Sequence, residues 1–167
     1  SVIPGMIQGG RISISLLPII VLAWRRGVIP GMLGGLLYSL LNMMLLDSYN
    51  PALLLPLGLT MQDYYASVLL DYLLAFSLVG IAGVIPRLFG KSLLNFGITV
   101  VIGYFIRFLM HFLSGIIIFG SFAGDQNVWA YSLIYNGTYM LPSMLMATIF
   151  GIALYKRVIA PLEHSLK

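Results

Sequence analysis

Asp71, Arg107, His111 and Asn136 are the residues whose types and positions could do chemistry, because each lies inside a long apolar stretch. Arg107 and His111 are four apart in the run 92–120, so they share one helical face. An arginine in hydrocarbon costs at least about 2.5 kcal/mol on insertion scales. It must face protein, water or a ligand. Depth along each stretch follows from about 1.5 Å of rise per residue. Counted from the ends opposite the basic turns, Asp71 and Asn136 are each about 9 Å deep, His111 about 13 Å and Arg107 about 20 Å. Tyr72, Tyr131, Tyr135 and Tyr139 fall in the same layer as the first three. An acid, an imidazole, an amide and several phenols from three stretches can thus bind a small polar aromatic solute.

Each residue also has a plainer reading. Asp71 and Arg107 could pair with each other, and His111 could be a satisfied core histidine. Tyr131 could belong to an interfacial aromatic belt, and Asn136 could join two helices. Their common depth favours a binding layer. Catalytic patterns are weak. Ser114 is three residues from His111, but no G-x-S-x-G frames it. There is no H-E-x-x-H, metal-ligand cluster or phosphate-binding loop. No enzyme, metal or cofactor is expected.

The stretches that must position these residues make a membrane protein. The chain has 167 residues, 60% hydrophobic and 8% charged, with mean hydropathy +1.00. A soluble domain carries about 25% charged residues. Cysteine is absent, which excludes disulfide and thiolate chemistry. The net charge of +4 does not form a nucleic-acid footprint, because the basic residues sit at span ends. No leader peptide is expected at the Ser1 end, and the chain reads as processed or truncated.

In order, residues 2–10 read as a loop or the end of an element. Residues 11–24 form a short apolar segment kinked at Pro18. Spans follow at 28–46, 65–85, 92–120 and 130–155, giving about five apolar segments in one all-α, polytopic domain over 1–167. Arg25, Arg26, Arg87, Lys91, Lys156 and Arg157 fall on one side; Asp47, Asp63 and Asp125 fall on the other. The positive-inside rule puts the basic side and the C-terminus in the cytoplasm. His164 in the tail is expected to be solvated. Gly27, Gly31, Gly35 and Ser39 make one small-residue stripe, and Ser143, Ala147 and Gly151 a second. Each could pack within the chain or dock a partner.

Four groups of residues resemble one family. They are residues 17–27 with Gly31, Gly34 and Gly35; Asp71, Tyr72 and Ala75 with Gly80 and Gly83; residues 111–117 from His111 through Ser114 and Gly115; and Ala130, Tyr131, Ser132 and Leu133 with Asn136 and Gly137. In this order and spacing the chain resembles the thiamine-specific S-components of energy-coupling-factor (ECF) vitamin importers. The resemblance implies a six-helix bundle, here lacking its first helix. It implies capture of thiamine, or a thiamine-like vitamin or pyrimidine precursor, from outside. It also implies partners: a transmembrane coupling subunit and two ATPase subunits. Its ligand-binding positions fall on Asp71, Tyr72, His111, Tyr131 and Asn136, and on Phe119 as the aromatic eight residues after the histidine. Two positions depart from the family. An acidic residue is replaced at or near Ser13, and an aromatic falls among Gly9 and Gly10. Alternatives are an S-component for a different vitamin, a solitary secondary transporter, a membrane enzyme and a structural membrane protein.

Overall fold

The computed structural model describes residues 10–47 and 49–161, all of them helical or irregular. The reading of residues 2–9 as a loop and of His164 as solvated lies outside the described residues. Six helices run through them. Helix α1 is Leu17–Arg26. Helix α2 is Val28–Leu41, continued by a π-helical turn at Asn42–Leu46. A short α3, Pro51–Leu54, precedes α4, Met61–Phe89. Helix α5 is Leu93–Ile117, and α6 is Val128–Leu154 with a π-helical turn at Tyr155–Ile159.

Four of these are long and apolar enough to cross a membrane: Val28–Leu45, Met61–Phe89, Leu93–Ile117 and Val128–Arg157. With ten residues, α1 is too short, as its sequence implied. Pro18 does not kink it. The proline occupies the first turn, where a missing N–H costs nothing. Helix α4 starts earlier than its hydropathy suggested because Thr60 and Asp63 form a reciprocal cap.

The bundle is apolar outside, and its largely apolar core encloses a set of polar side chains. Ile29, Leu45, Leu94 and Ile149 are each about two-thirds or more exposed. Ser67, Thr99, Ser114, Ser132, Asn136 and Ser143 are buried. So apolar an outer surface is stable in lipid, and with four helices of membrane-spanning length this is a multi-pass membrane protein.

Both small-residue stripes are spent inside the chain. A Cβ on Gly31 would lie 3.0 Å from the Gly80 Cα, and a Cβ on Gly80 would lie 2.2 Å from the Met32 backbone N. Gly35 abuts the Phe76 carbonyl at a corresponding 2.2 Å. The α2 stripe therefore exists to let α2 and α4 touch backbone to backbone, antiparallel. Ser143, Ala147 and Gly151 are likewise buried, with Gly151 against Phe96, Leu17 and Val100. Neither stripe is a free docking face.

At the basic end Trp24 lies edge-on to Phe96 (5.2 Å) and Tyr155 (5.9 Å), locking α1, α5 and α6. At the other end, which carries Asp47, Asp63 and Asp125, the α3 region forms a cap. Leu54 and Leu59 are buried with Ile118 on the end of α5, and Phe119, Tyr49 and Tyr64 pack around them. Within residues 52–59, Leu54 and Leu59 supply the buried side of this cap.

The close α2–α4 approach gives a paired test. Gly80→Ala is expected to destabilise the chain by about 1–3 kcal/mol, because the opposing atoms are backbone. Gly137→Ala, where a Cβ meets nothing within 4 Å, should be close to neutral. Thermal unfolding in detergent distinguishes them, and equal stability of the two variants would contradict the packing described.

Candidate functional site

Helix α4 is not α-helical throughout. Val68–Leu74 is a π-helical segment, and Leu78–Val84 is 3₁₀-helical. The π-helical segment carries Asp71 and Tyr72 and turns them toward different neighbours. Asp71 faces α5. Tyr72 faces α2, where its hydroxyl donates to Asp47 Oδ2 (3.0 Å).

Asp71 and His111 are both about one-seventh exposed. His111 Nδ1 lies 3.0 Å from Asp71 Oδ1, and Ser114 Oγ donates to Asp71 Oδ2 at 2.6 Å. One turn away on α5, Arg107 Nε donates to His111 Nε2 at 3.4 Å. A guanidinium can only donate, so His111 Nε2 accepts and the ring proton sits on Nδ1, toward Asp71. The tautomer is assigned from these two contacts. The result is a directional chain, Arg107 to His111 to Asp71, with Ser114 donating from the other side. Direct pairing of Asp71 with Arg107, one of the plainer readings, is not found among the described residues. The guanidinium instead lies 4.6 Å over the Phe76 ring.

Asn136 joins α6 to this group. Its Nδ2 donates to the Ser132 carbonyl (3.0 Å) and the His111 carbonyl (3.2 Å), and its Oδ1 accepts from the Tyr139 hydroxyl (2.6 Å). Ser132 Oγ donates to the Phe112 carbonyl (2.8 Å). Asn136 is 2% exposed, so in this state its amide is committed to protein groups. It holds the His111 turn of α5 against α6. The Tyr139 ring stands edge-on to His111 at 6.5 Å.

The segment before α1 is laid across this region. The Tyr104 hydroxyl donates to the Ser13 carbonyl (3.0 Å), and the Ser13 N–H donates to Ser143 Oγ (3.0 Å). Gly10 rests on the Tyr139 ring, where a Cβ would come within 2.5 Å of it. Arg11 pairs with Asp47 Oδ1, while Asn42 Nδ2 donates to Asp47 Oδ2 (2.7 Å). Asp47 thereby ties the pre-α1 segment to α2 and α4. Above Tyr72, Tyr49 lies at 4.8 Å ring to ring, its hydroxyl 2.6 Å from Ser67 Oγ. Burial pushes the Tyr49 phenol up to about 12, so it stays protonated.

The remaining expected residues lie in separate places. Tyr131 stacks on Tyr135 (6.0 Å) along α6. Phe119 packs with Phe122 (6.1 Å) in the cap. The structure thus brings Asp71, His111 and Asn136 together. It sets Tyr72 on the Asp47 side, and Tyr131 and Phe119 around the acidic end. Sequence pattern alone offers Ser114 as a nucleophile. Its real partner is Asp71, legible in the sequence as a residue three after His111 on the same helical face. Here the carboxylate lies between serine and imidazole, so His111 is not placed to take the Ser114 proton as a nucleophile's base would be.

Comparisons with known proteins agree with this fold. The family model for the thiamine transporter protein family (Thia_YuaJ) matches residues 1–161. The chain belongs to this family. The thiamine transporter ThiT of Bacillus subtilis is 34% identical over 154 residues, covering 86% of this chain and 74% of that protein. ThiT of Lacticaseibacillus paracasei is 30% identical over 155 residues, covering 86% and 73%. Among solved structures, ThiT from Listeria monocytogenes superposes with TM-score 0.70 at 25% identity, over 88% of this chain and 79% of that one. The relatives are named as transporters, a non-catalytic role.

Asn136→Ala would strip the His111 carbonyl and the Tyr139 hydroxyl of a partner. A loss of about 1–3 kcal/mol in stability is expected. Unfolding in detergent checks this, and an unchanged midpoint would show that the α5–α6 bridge is dispensable.

Proposed function

We propose that this chain captures thiamine, or a thiamine-like vitamin or pyrimidine precursor, from the outer side of the cell membrane. The supporting observation is the buried Asp71–His111–Ser114 cluster in a member of the thiamine transporter family. A carboxylate held by donors on one side keeps lone pairs for the amino group of an aminopyrimidine. The imidazole and phenol rings beside it offer faces for stacking. Asp71, Tyr72, His111, Tyr131, Asn136 and Phe119 are the proposed contacts. Asp71 and His111 act directly, Asn136 holds the His111 turn, and Tyr72, Tyr131 and Phe119 wall the entrance.

The finer reading is that of an S-component. The chain has no phosphate-binding loop, so ATP-driven uptake would need two ATPase subunits and a transmembrane coupling subunit. Both small-residue stripes are consumed internally, so the coupling subunit would dock on another face. The clustering of six basic residues at one end supports a cytoplasmic location for that end and for the C-terminus.

Thiamine titration of the purified chain tests the binding reading. Saturable binding is expected, with Asp71→Asn weakening it by at least about tenfold. No binding to a folded chain would overturn the reading. For the coupling reading, uptake into vesicles should require co-reconstituted ATPase and coupling subunits with ATP. Uptake by the chain alone, driven by an ion gradient, would replace it with a solitary secondary transporter.

A further inference from the structure

A groove of about 510 Å³ runs between α5 and α6 on the outer surface of the bundle, in the half nearer the basic end. Leu94, Gly97, Ile98 and Val101 of α5 line it with Thr148 and Ile152 of α6. Behind it the two helices close up, where Gly151 meets Phe96 and Val100. In front, Gly97 has no side chain to fill the gap, and a Cβ there would meet nothing within 4 Å. Glycine weakens a helix, and no neighbouring backbone comes close enough to require it at this position.

The lining offers nothing to a polar occupant. The Thr148 hydroxyl donates to the Met144 carbonyl (2.7 Å), and the other side chains are aliphatic. From Leu94 to Val101 is about 10 Å along the helix. The hydrocarbon of one leaflet is about 15 Å thick. The groove is thus long enough for most of one acyl chain.

Two lysines stand at its basic-end mouth. Lys91 lies three residues before Leu94, on the turn into α5. That turn is fixed. Asn95 Nδ2 donates to the Phe89 and Gly90 carbonyls (both 2.9 Å), and Ser92 Oγ caps α5 by accepting from the Asn95 N–H (3.2 Å). Lys156 follows Ile152 by four residues, so it continues the same face one turn closer to that end. Both lysines are exposed. Among the described residues, Asp47, Asp63 and Asp125 lie at the opposite end and Asp71 inside the bundle. None of these carboxylates neutralises the mouth.

The geometry points to a site for an anionic phospholipid, with one acyl chain in the groove beside Gly97 and the phosphate between Lys91 and Lys156. Each lysine stem lies along hydrocarbon while its ammonium stays at head-group level. A zwitterionic lipid fills the groove equally well, but its own ammonium already faces its phosphate. A second copy of this chain in the same membrane fits worse, because it would set its own basic end against these lysines.

The experiment is native mass spectrometry of the purified full chain in detergent. Phosphatidylglycerol and phosphatidylcholine with the same acyl chains are titrated separately. Each lysine near an anionic head group is worth about fivefold in affinity. Wild type is therefore expected to favour phosphatidylglycerol by at least about tenfold. Changing Lys91→Gln and Lys156→Gln together should bring the two lipids within about threefold of each other. Gly97→Leu, which puts a side chain into the groove, should weaken phosphatidylglycerol by at least about threefold. Its unfolding midpoint should not fall, since leucine is the better helix former. Equal binding of the two lipids by wild type would overturn the inference, as would a preference that survives loss of both lysines. Unchanged affinity in a folded Gly97→Leu would overturn the groove as the seat of the chain. Should Gly97→Leu fail to fold, Gly97→Ala replaces it with the same expected direction. A wild-type dimer without lipid preference, split by the same variant, would overturn the inference in favour of a contact between copies.

Discussion

A carboxylate inside a bilayer has no water to solvate it, and the cost of an unsatisfied charge there is several kcal/mol. Asp71 is such a group, and much of this bundle is arranged to hold it. Ser114 and His111 donate to its two oxygens from one face of α5. Arg107 orients His111 from one turn deeper. Asn136 and Ser132 hold the His111 turn against α6. The π-helical segment Val68–Leu74 aims the carboxylate at α5 rather than at lipid. Remove the acid and these polar side chains have no common partner.

That constraint also explains the backbone contact between α2 and α4. Irregular turns in α4 weaken its own hydrogen-bond ladder. The glycines at 31, 35 and 80 let α2 lie directly against that helix and support it. Packing without side chains gives up dispersion area but gains rigidity, and in lipid close approach is a main source of helix association. The site is thus carried on a stiff α2–α4 pair. Among the described residues, Tyr104, Ser143, Tyr139 and the Arg11–Asp47 pair hold the segment before α1.

Much of this was legible in the sequence. Hydropathy and the basic turns located the four spans within a few residues, because lipid imposes length and charge placement on every crossing. Depth counting put Asp71, His111 and Asn136 in one layer, and they do meet. Other features were hidden. The π-helical segment leaves no compositional mark, so nothing indicated that Tyr72 would turn to Asp47 instead of joining its neighbour Asp71. Spacing alone allows Arg107 to pair directly with Asp71. The structure inserts His111 between them, a matter of side-chain direction that spacing alone does not give. The Thr60–Asp63 cap is a readable pattern, but it lies ahead of the apolar run 65–85 that marks the span. Small residues every fourth position marked close helix contact correctly, though not whether the other helix was internal.

The orientation of the His111 ring is where this account is most exposed. The chain has two histidines, so the ¹⁵N spectrum of the labelled protein in detergent resolves each ring, with His111→Gln giving the assignment. A His111 ring with its proton on Nδ1 is expected, with ring signals that shift when thiamine is added while those of His164 do not. A proton on Nε2, or a His111 ring unmoved under saturating thiamine that is demonstrably bound, would contradict it.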